Sequence, residues 1–454
     1  MRPMPIVFLL RTALVLTGLC FILSTQGQRI QGSFERGTLL PVRVVLYETW
    51  GGAHRPMDSV TVDRKGRFSF TTRDRQAGFY RLVAGAEDVV DLIIDPREGL
   101  IELHFTGRPI QEHIAVKASV QNQRLWEYKR ASREGQARIA MIQEERKKSS
   151  PLDAAAQASF EQREDEVRSW QQGILDRLVA NDPIGPFERI VLTDKRLAEA
   201  VPLGKEAVRS VVDWADPTLV RSSVYPKAVM AYLQSLRDPG VHELISASDS
   251  LLEWASSNEQ CWTFSRSFQL RLFSVYGPDV VAQHIVDRYI VGPGSLHPPD
   301  AELLSAAADL MRVAAGAKAP EVHLVDPLAG DTTLLQNLLS KQPFTVLFFY
   351  SSSCDHCHEQ MPGLIELYRD LQGKGLQVLG IALDVDLEEF RVTLEQRGLL
   401  WPSFSELNGW GSTSAKAFGV KSTPGFFLLD RAGTIVAKPY DHVELRAKLI
   451  ELLP

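Results

Sequence analysis

The sequence predicts a multidomain chain: a small β-sandwich-like domain, an all-helical region, and a C-terminal α/β domain built on a central sheet. Three observations carry this expectation. Short alternating or β-branched runs fill residues 28–108, helical periodicity fills residues 109–316, and strands alternate with helices over residues 317–454. At 454 residues the chain exceeds one ordinary core, and its 44% hydrophobic and 23% charged residues suit packed domains rather than disorder. The formal net charge of -6, with no basic tract interleaved with aromatics, argues against a nucleic-acid partner.

Residues 1–27 read as a signal peptide. Arg2 and Arg11 precede a run of 13 uncharged residues, Thr12 to Ser24, and the polar stretch TQGQ follows. The run is shorter than a membrane span requires, so cleavage is expected near Gly27. The destination is then the periplasm or cell envelope, and a retained signal anchor would export the protein as well. Cys20 is preceded by Leu19, where a lipid-attachment signal wants a small residue.

In the β region, VRVVLY (42–47), SVTV (59–62), RFSF (67–70), FYRLV (79–83), VVDLII (89–94) and LIELHF (100–105) are separated by turn residues such as Gly51-Gly52 and Lys65-Gly66. Six strands at this spacing predict a sandwich or barrel, with binding or docking as its default role. In the helical region, Phe160, Val167, Trp170, Ile174 and Leu178 recur on one face of a segment from Ser150 to Ala180. Further helix boundaries fall at Tyr225-Pro226, Pro239-Gly240, Gly277-Pro278 and the loop 292–299. Trp214, Trp254 and Trp262 are expected in the core. Cys261 is expected to be a small buried side chain.

The C-terminal domain opens after AAGAKAP (314–320). FTVLFFY (344–350) is a continuous apolar run, as expected of a strand covered on both faces. Met361, Leu364, Tyr368 and Leu371 mark one face of a helix that ends at Gly373. GLQVLGIALD (375–384) is the next strand, and Asp386 with Glu389 starts a helix carrying Leu387, Phe390 and Leu394. A short helix at 412–418, strands GFFLLD (425–430) and TIVAK (434–438), and a helix over 441–453 complete a sheet with helices on both faces.

The chemistry concentrates in FTVLFFYSSSCDHCHEQMP. Cys354 and Cys357 stand between a buried strand and a helix, a setting that favours a working dithiol over a structural disulfide framework. A cysteine at a helix N-terminus is stabilised as thiolate by unpaired N–H groups and the helix dipole, which makes Cys354 the expected nucleophile. Cys357, one turn further on, is the expected resolving thiol. A protonated His356 near the first sulfur would destabilise the disulfide, and roughly 30 mV of potential corresponds to 1.4 kcal/mol. Glu359 reads chiefly as a solvated first-turn carboxylate, with a proton-handling role as the other option. His358 is expected at the surface.

Residues from about 320 to 454 resemble the thioredoxin superfamily, and within it the exported TlpA/ResA-like thiol-disulfide oxidoreductases. Besides the dithiol, Pro362 lies five residues after Cys357, Thr423-Pro424 directly precedes a strand, and APEVHLVDPLAGDTTLLQNLLSKQP resembles the segment leading into the first core strand. The resemblance implies a redox-active Cys354–Cys357 disulfide in the oxidised form. It also implies a cis Pro424 against the sulfurs and a Thr423 backbone that binds substrate. No cofactor or metal is implied. Disulfide-containing envelope proteins are the implied substrates, and a membrane electron donor supplies the electrons. Three positions depart from the family pattern: Phe348 where an acidic or amide residue is common, Ser353 where tryptophan is common, and His356 between the cysteines.

Other readings compete. Cys-x-x-Cys-His also matches haem attachment, but here it follows a buried strand, with Pro362 and Thr423-Pro424 in register; zinc would want a second Cys or His pair. A peroxiredoxin-like peroxidase is opposed by the close cysteine pair. His356 pulls toward a disulfide oxidase or isomerase. A non-enzymatic envelope binding or assembly protein would keep the α/β domain as scaffold. Reduction of envelope disulfides is the preferred expectation, because the likeness over the whole domain outweighs one residue.

Overall fold

The structure is a computed structural model describing residues 28–35, 40–71, 75–85, 88–151, 153–180, 184–237 and 239–453. The predicted signal peptide, including Cys20, lies outside these residues. The chain divides into two compact units. One takes the described residues of Met1–Tyr47, Pro56–Gln76 and Arg81–Gln171; the other takes those of Glu48–Arg55, Ala77–Tyr80 and Gln172–Pro454.

The N-terminal β segments form two four-stranded sheets. In one, Arg67–Thr71, Arg29–Phe34, Leu100–Phe105 and Ile114–Ala118 lie side by side in that order. In the other the order is Ala53–Thr61, Arg43–Trp50, Gly78–Val83 and Val89–Ile94. Alternate residues such as Val44, Leu46, Ile101 and Leu103 are buried, which is why the period-two pattern was legible. Two strands go beyond the six expected. In Arg29–Phe34 the buried set is Ile30, Gly32 and Phe34, so a glycine interrupts the apolar signal. That glycine is required, because a Cβ there would stand 2.0 Å from the Phe68 ring. Ile114–Ala118 is short and falls where helix was expected.

Two long helices follow, Val120–Lys148 and Ala154–Val179. Arg146 Nε donates to Gln157 Oε1 at 2.6 Å, and Arg163 pairs with Glu145 at 2.6 Å, so the helices run antiparallel. In the second unit, helices from Pro186–Ala200 to Ala301–Arg312 enclose a core that buries Trp214, Trp262 and Cys261, with Trp254 packed against it. Burial pushes the Cys261 thiol up to about 12. Pro226 lies inside the first turn of Val224–Gln234 rather than ahead of it.

The C-terminal sheet has five strands, in the order Ser403–Phe404, Leu376–Ala382, Phe344–Tyr350, Gly425–Asp430, Ile435–Ala437. The first three are mutually parallel and the last two antiparallel to their neighbours. One face carries Leu347 and Phe349 against Leu335, Leu339, Ala415 and Phe418. The other carries Val346, Phe348 and Tyr350 against Met361, Leu364, Phe390, Leu445 and Leu449. Burial on both faces explains the uninterrupted apolar run at 344–350. A four-residue hairpin pair, His323–Asp326 with Asp331–Leu334, precedes this sheet.

Candidate active site

The central strand Phe344–Tyr350 delivers the chain to a three-serine loop and then to the helix Asp355–Leu371. Cys354 is the N-cap of that helix, and its Sγ accepts from the Cys357 N–H at 3.3 Å. Such a bond strengthens as negative charge builds on the sulfur, and an N-cap acceptor satisfies an otherwise unpaired helix donor. On its other side, Cys354 Sγ donates to the Thr423 carbonyl at 3.6 Å. The Thr423–Pro424 peptide bond is cis, as the resemblance implies. Both cysteines are free thiols, Cys354 half-buried and Cys357 buried.

The two sulfurs differ in setting. Burial above all, then the Cys354 sulfur, pushes the Cys357 thiol up to about 12, while the Ser351 backbone and Thr423 act in the opposite sense. Cys357 lies with Met361, Leu364 and Tyr350 in the core under the helix. Beneath the site, Phe348 stacks on Tyr350 at 5.3 Å and on Phe426 at 4.9 Å. The position where relatives commonly carry an acid or amide is thus filled by an aromatic stack. Burial also raises the Tyr350 hydroxyl above its ordinary range.

His356 is 82% exposed in its side chain, and its Nδ1 meets Glu359 Oε2 at 3.2 Å. The ring turns along the helix surface to that carboxylate, and Glu359 is itself 69% exposed. His358 is half-buried rather than at the surface, and its Nδ1 accepts from Arg397 Nη2 at 2.7 Å. Arginine can only donate, so His358 Nδ1 is the acceptor of this bond. Pro362 lies inside the helix and supplies no N–H, leaving the carbonyl one turn earlier without its usual donor. Gln360 Oε1 accepts from His442 N at 3.0 Å and from its Nδ1 at 2.7 Å, joining this helix to the start of His442–Leu452.

One residue escaped sequence reasoning. Asp384, only 3% exposed, accepts from Ser352 N at 2.8 Å, Ser352 Oγ at 2.6 Å and Ser351 Oγ at 3.3 Å. It therefore fixes the loop that presents Cys354. A signal existed: an acid ends a buried parallel strand, the edge of an α/β sheet where functional loops gather. Among the described residues, no group of three or more His, Cys, Asp or Glu is arranged to hold a metal ion. No helix of the described residues is long and apolar enough to cross a membrane.

Comparison with known proteins places these observations in a family. Residues 315–438 match the AhpC/TSA family. The thiol-disulfide oxidoreductase ResA of Bacillus anthracis is 32% identical over 131 residues, 28% of this chain and 71% of that protein. A ResA of Bacillus cereus is 32% identical over 133 residues, covering 29% and 72%. Among solved structures, a thiol-disulfide oxidoreductase from Bacteroides fragilis NCTC 9343 is 28% identical with a TM-score of 0.29, over 30% of this chain and 99% of that one. The ResA alignments take in most of those proteins at this level of identity, and through its C-terminal domain the chain belongs to the TlpA/ResA-like thiol-disulfide oxidoreductases of the thioredoxin superfamily.

Proposed function

We propose that this chain is an exported reductase of disulfides in periplasmic or envelope proteins, re-reduced by a membrane electron donor. The reading rests chiefly on the sulfur geometry: Cys354 Sγ lies 3.3 Å from the Cys357 N–H and 3.6 Å from the Thr423 carbonyl, with Cys357 buried behind it. The Cys354 thiolate attacks one sulfur of a substrate disulfide, forming a mixed disulfide and expelling the other sulfur as thiolate. Cys357 then gives up its proton and attacks Cys354 Sγ, releasing the second substrate thiol and closing the Cys354–Cys357 disulfide. The substrate gains two electrons and the dithiol loses two; an external dithiol donor restores the pair. Thr423, beside Pro424, offers its backbone to an extended substrate segment.

His356 bears on direction. An oxidase wants a donor on the nucleophile sulfur to stabilise the reduced form, and here the His356 ring meets Glu359 instead. This supports reduction over oxidation or isomerisation. Export is supported by the charge and apolar pattern of residues 1–27. We also read residues 28–108 as a sandwich-like docking module, residues 109–316 as the helical domain and residues 317–454 as the redox domain.

A disulfide reduction assay on insulin tests the reading. The wild-type chain is expected to reduce insulin with dithiothreitol as donor, and Cys354→Ser to lose at least about a hundredfold of that rate over background, as removal of a nucleophile should. Activity retained in Cys354→Ser would remove the mechanism and favour a scaffold role.

A further inference from the structure

Beside the cis-proline loop lies a cleft of about 110 Å³ whose two walls come from different parts of the chain. Residues 419–427 of the redox domain, including Val420, Pro424 and Phe427, form one wall. Residues 274–279 of the helical region, including Tyr276 and Pro278, form the other, and Tyr440 borders the opening. Pro424 adjoins Thr423, whose carbonyl meets the Cys354 sulfur at 3.6 Å, so the cleft begins one residue from the reacting atom.

The geometry points to a substrate subsite in which the helical region, through Tyr276, recognises an apolar or aromatic side chain near the substrate cysteine that Cys354 attacks. The size suits one side chain rather than a folded domain. Two of its charges are engaged with each other: Lys438 pairs with Asp279, their side chains 17% and 18% exposed, and lies 5.1 Å from the Phe427 ring centroid. Glu444 Oε2 accepts from the Tyr440 N–H at 2.8 Å. Ring and proline surface is offered to a ligand alongside the exposed Lys421 and the hydroxyls of Ser274 and Ser422. Tyr276 and Tyr440 are 66% and 69% exposed, large aromatic faces kept in water beside a reactive thiol.

The wall is held in place. The Lys438–Asp279 pair ties the start of Asp279–Ile285 to the end of the sheet, and Gly316 N donates to Ile435 O at 2.8 Å. An extended peptide advances about 3.3 Å per residue, so a side chain close in sequence to the attacked cysteine is the one a cleft beginning at Pro424 would meet. A small disulfide has no such side chain and should ignore Tyr276.

This inference rests on the proposed reductase reading, and the test separates the two. Full-length chain is assayed on two disulfide-linked peptides that differ only in Phe or Gly two residues from the cysteine, and on a small aliphatic hydroxyl-bearing disulfide. Wild type is expected to favour the Phe peptide about tenfold in kcat/KM, chiefly through KM, as partial burial of an aromatic side chain allows. Tyr276→Ala should erase that preference while reducing the small disulfide at the wild-type rate, and Tyr276→Phe should retain it. No preference in wild type, a preference that survives Tyr276→Ala, or an equal loss on all three substrates would overturn the subsite. Turnover persisting in Cys354→Ser would instead overturn the reductase reading, whatever the peptide preference.

Discussion

At the scale of residues, two cysteines three positions apart do different work because their surroundings differ. Cys354 sits at the mouth as an N-cap, and Cys357 is buried with its thiol pushed up to about 12. A raised pKa keeps the proton on Cys357 through the neutral range and up to strongly alkaline pH, where only the thiolate is reactive. Iodoacetamide at pH 8 is therefore expected to alkylate Cys354 and spare Cys357 until the chain is denatured, as read by peptide mass spectrometry; equal labelling of both in the folded chain would contradict the assignment. His356 and Glu359 pair with each other at an exposed position. A pair so exposed contributes little to stability.

At the scale of elements, the helix Asp355–Leu371 carries the site by burying Cys357, Met361, Leu364, Leu367 and Leu371 against the sheet. Leu364 is fully buried there. Leu364→Ala should cost about 2–5 kcal/mol in a denaturant titration, the range for a leucine removed from a packed core; a loss below about 1 kcal/mol would mean that the helix is not anchored as described. Most of this element set was legible. Phe344–Tyr350 and Gly425–Asp430 match their apolar runs residue for residue, because a strand covered on both faces has no polar position to blur its limits. Asp386 caps Leu387–Arg397 by accepting from Glu389 N at 2.9 Å, as the local pattern suggested. Arg29–Phe34 was missed because its central inward position is Gly32, and Ile114–Ala118 because five residues carry too little pattern. In the site, the helix-start position of Cys354 was legible from motif and spacing, and the cis Pro424 from the family resemblance. Asp384 was not, since it meets Ser351 and Ser352 across more than 30 residues of sequence. The partner of His356 was not legible either, because spacing alone cannot say whether a ring turns toward Cys354 or Glu359.

At the scale of the whole molecule, residues 172–316 of the helical region and the redox domain lie in one compact unit. Backbone bonds from Gly316 N to Ile435 O and from Ile435 N to Ala317 O, both 2.8 Å, join the linker to the sheet edge, and Arg312 Nη1 reaches the Ala417 carbonyl. The proposed subsite would give the helical region a role in substrate choice that composition and periodicity did not reveal. The central claim remains the direction of electron flow from Cys354. The reduction potential of the Cys354–Cys357 couple, measured on the full chain in glutathione buffers of known poise, tests it most directly. A reductase requires a reducing couple, closer to the value of about -270 mV found for thioredoxin, whereas a value near about -120 mV, as in DsbA, would contradict reduction and make the protein an oxidant.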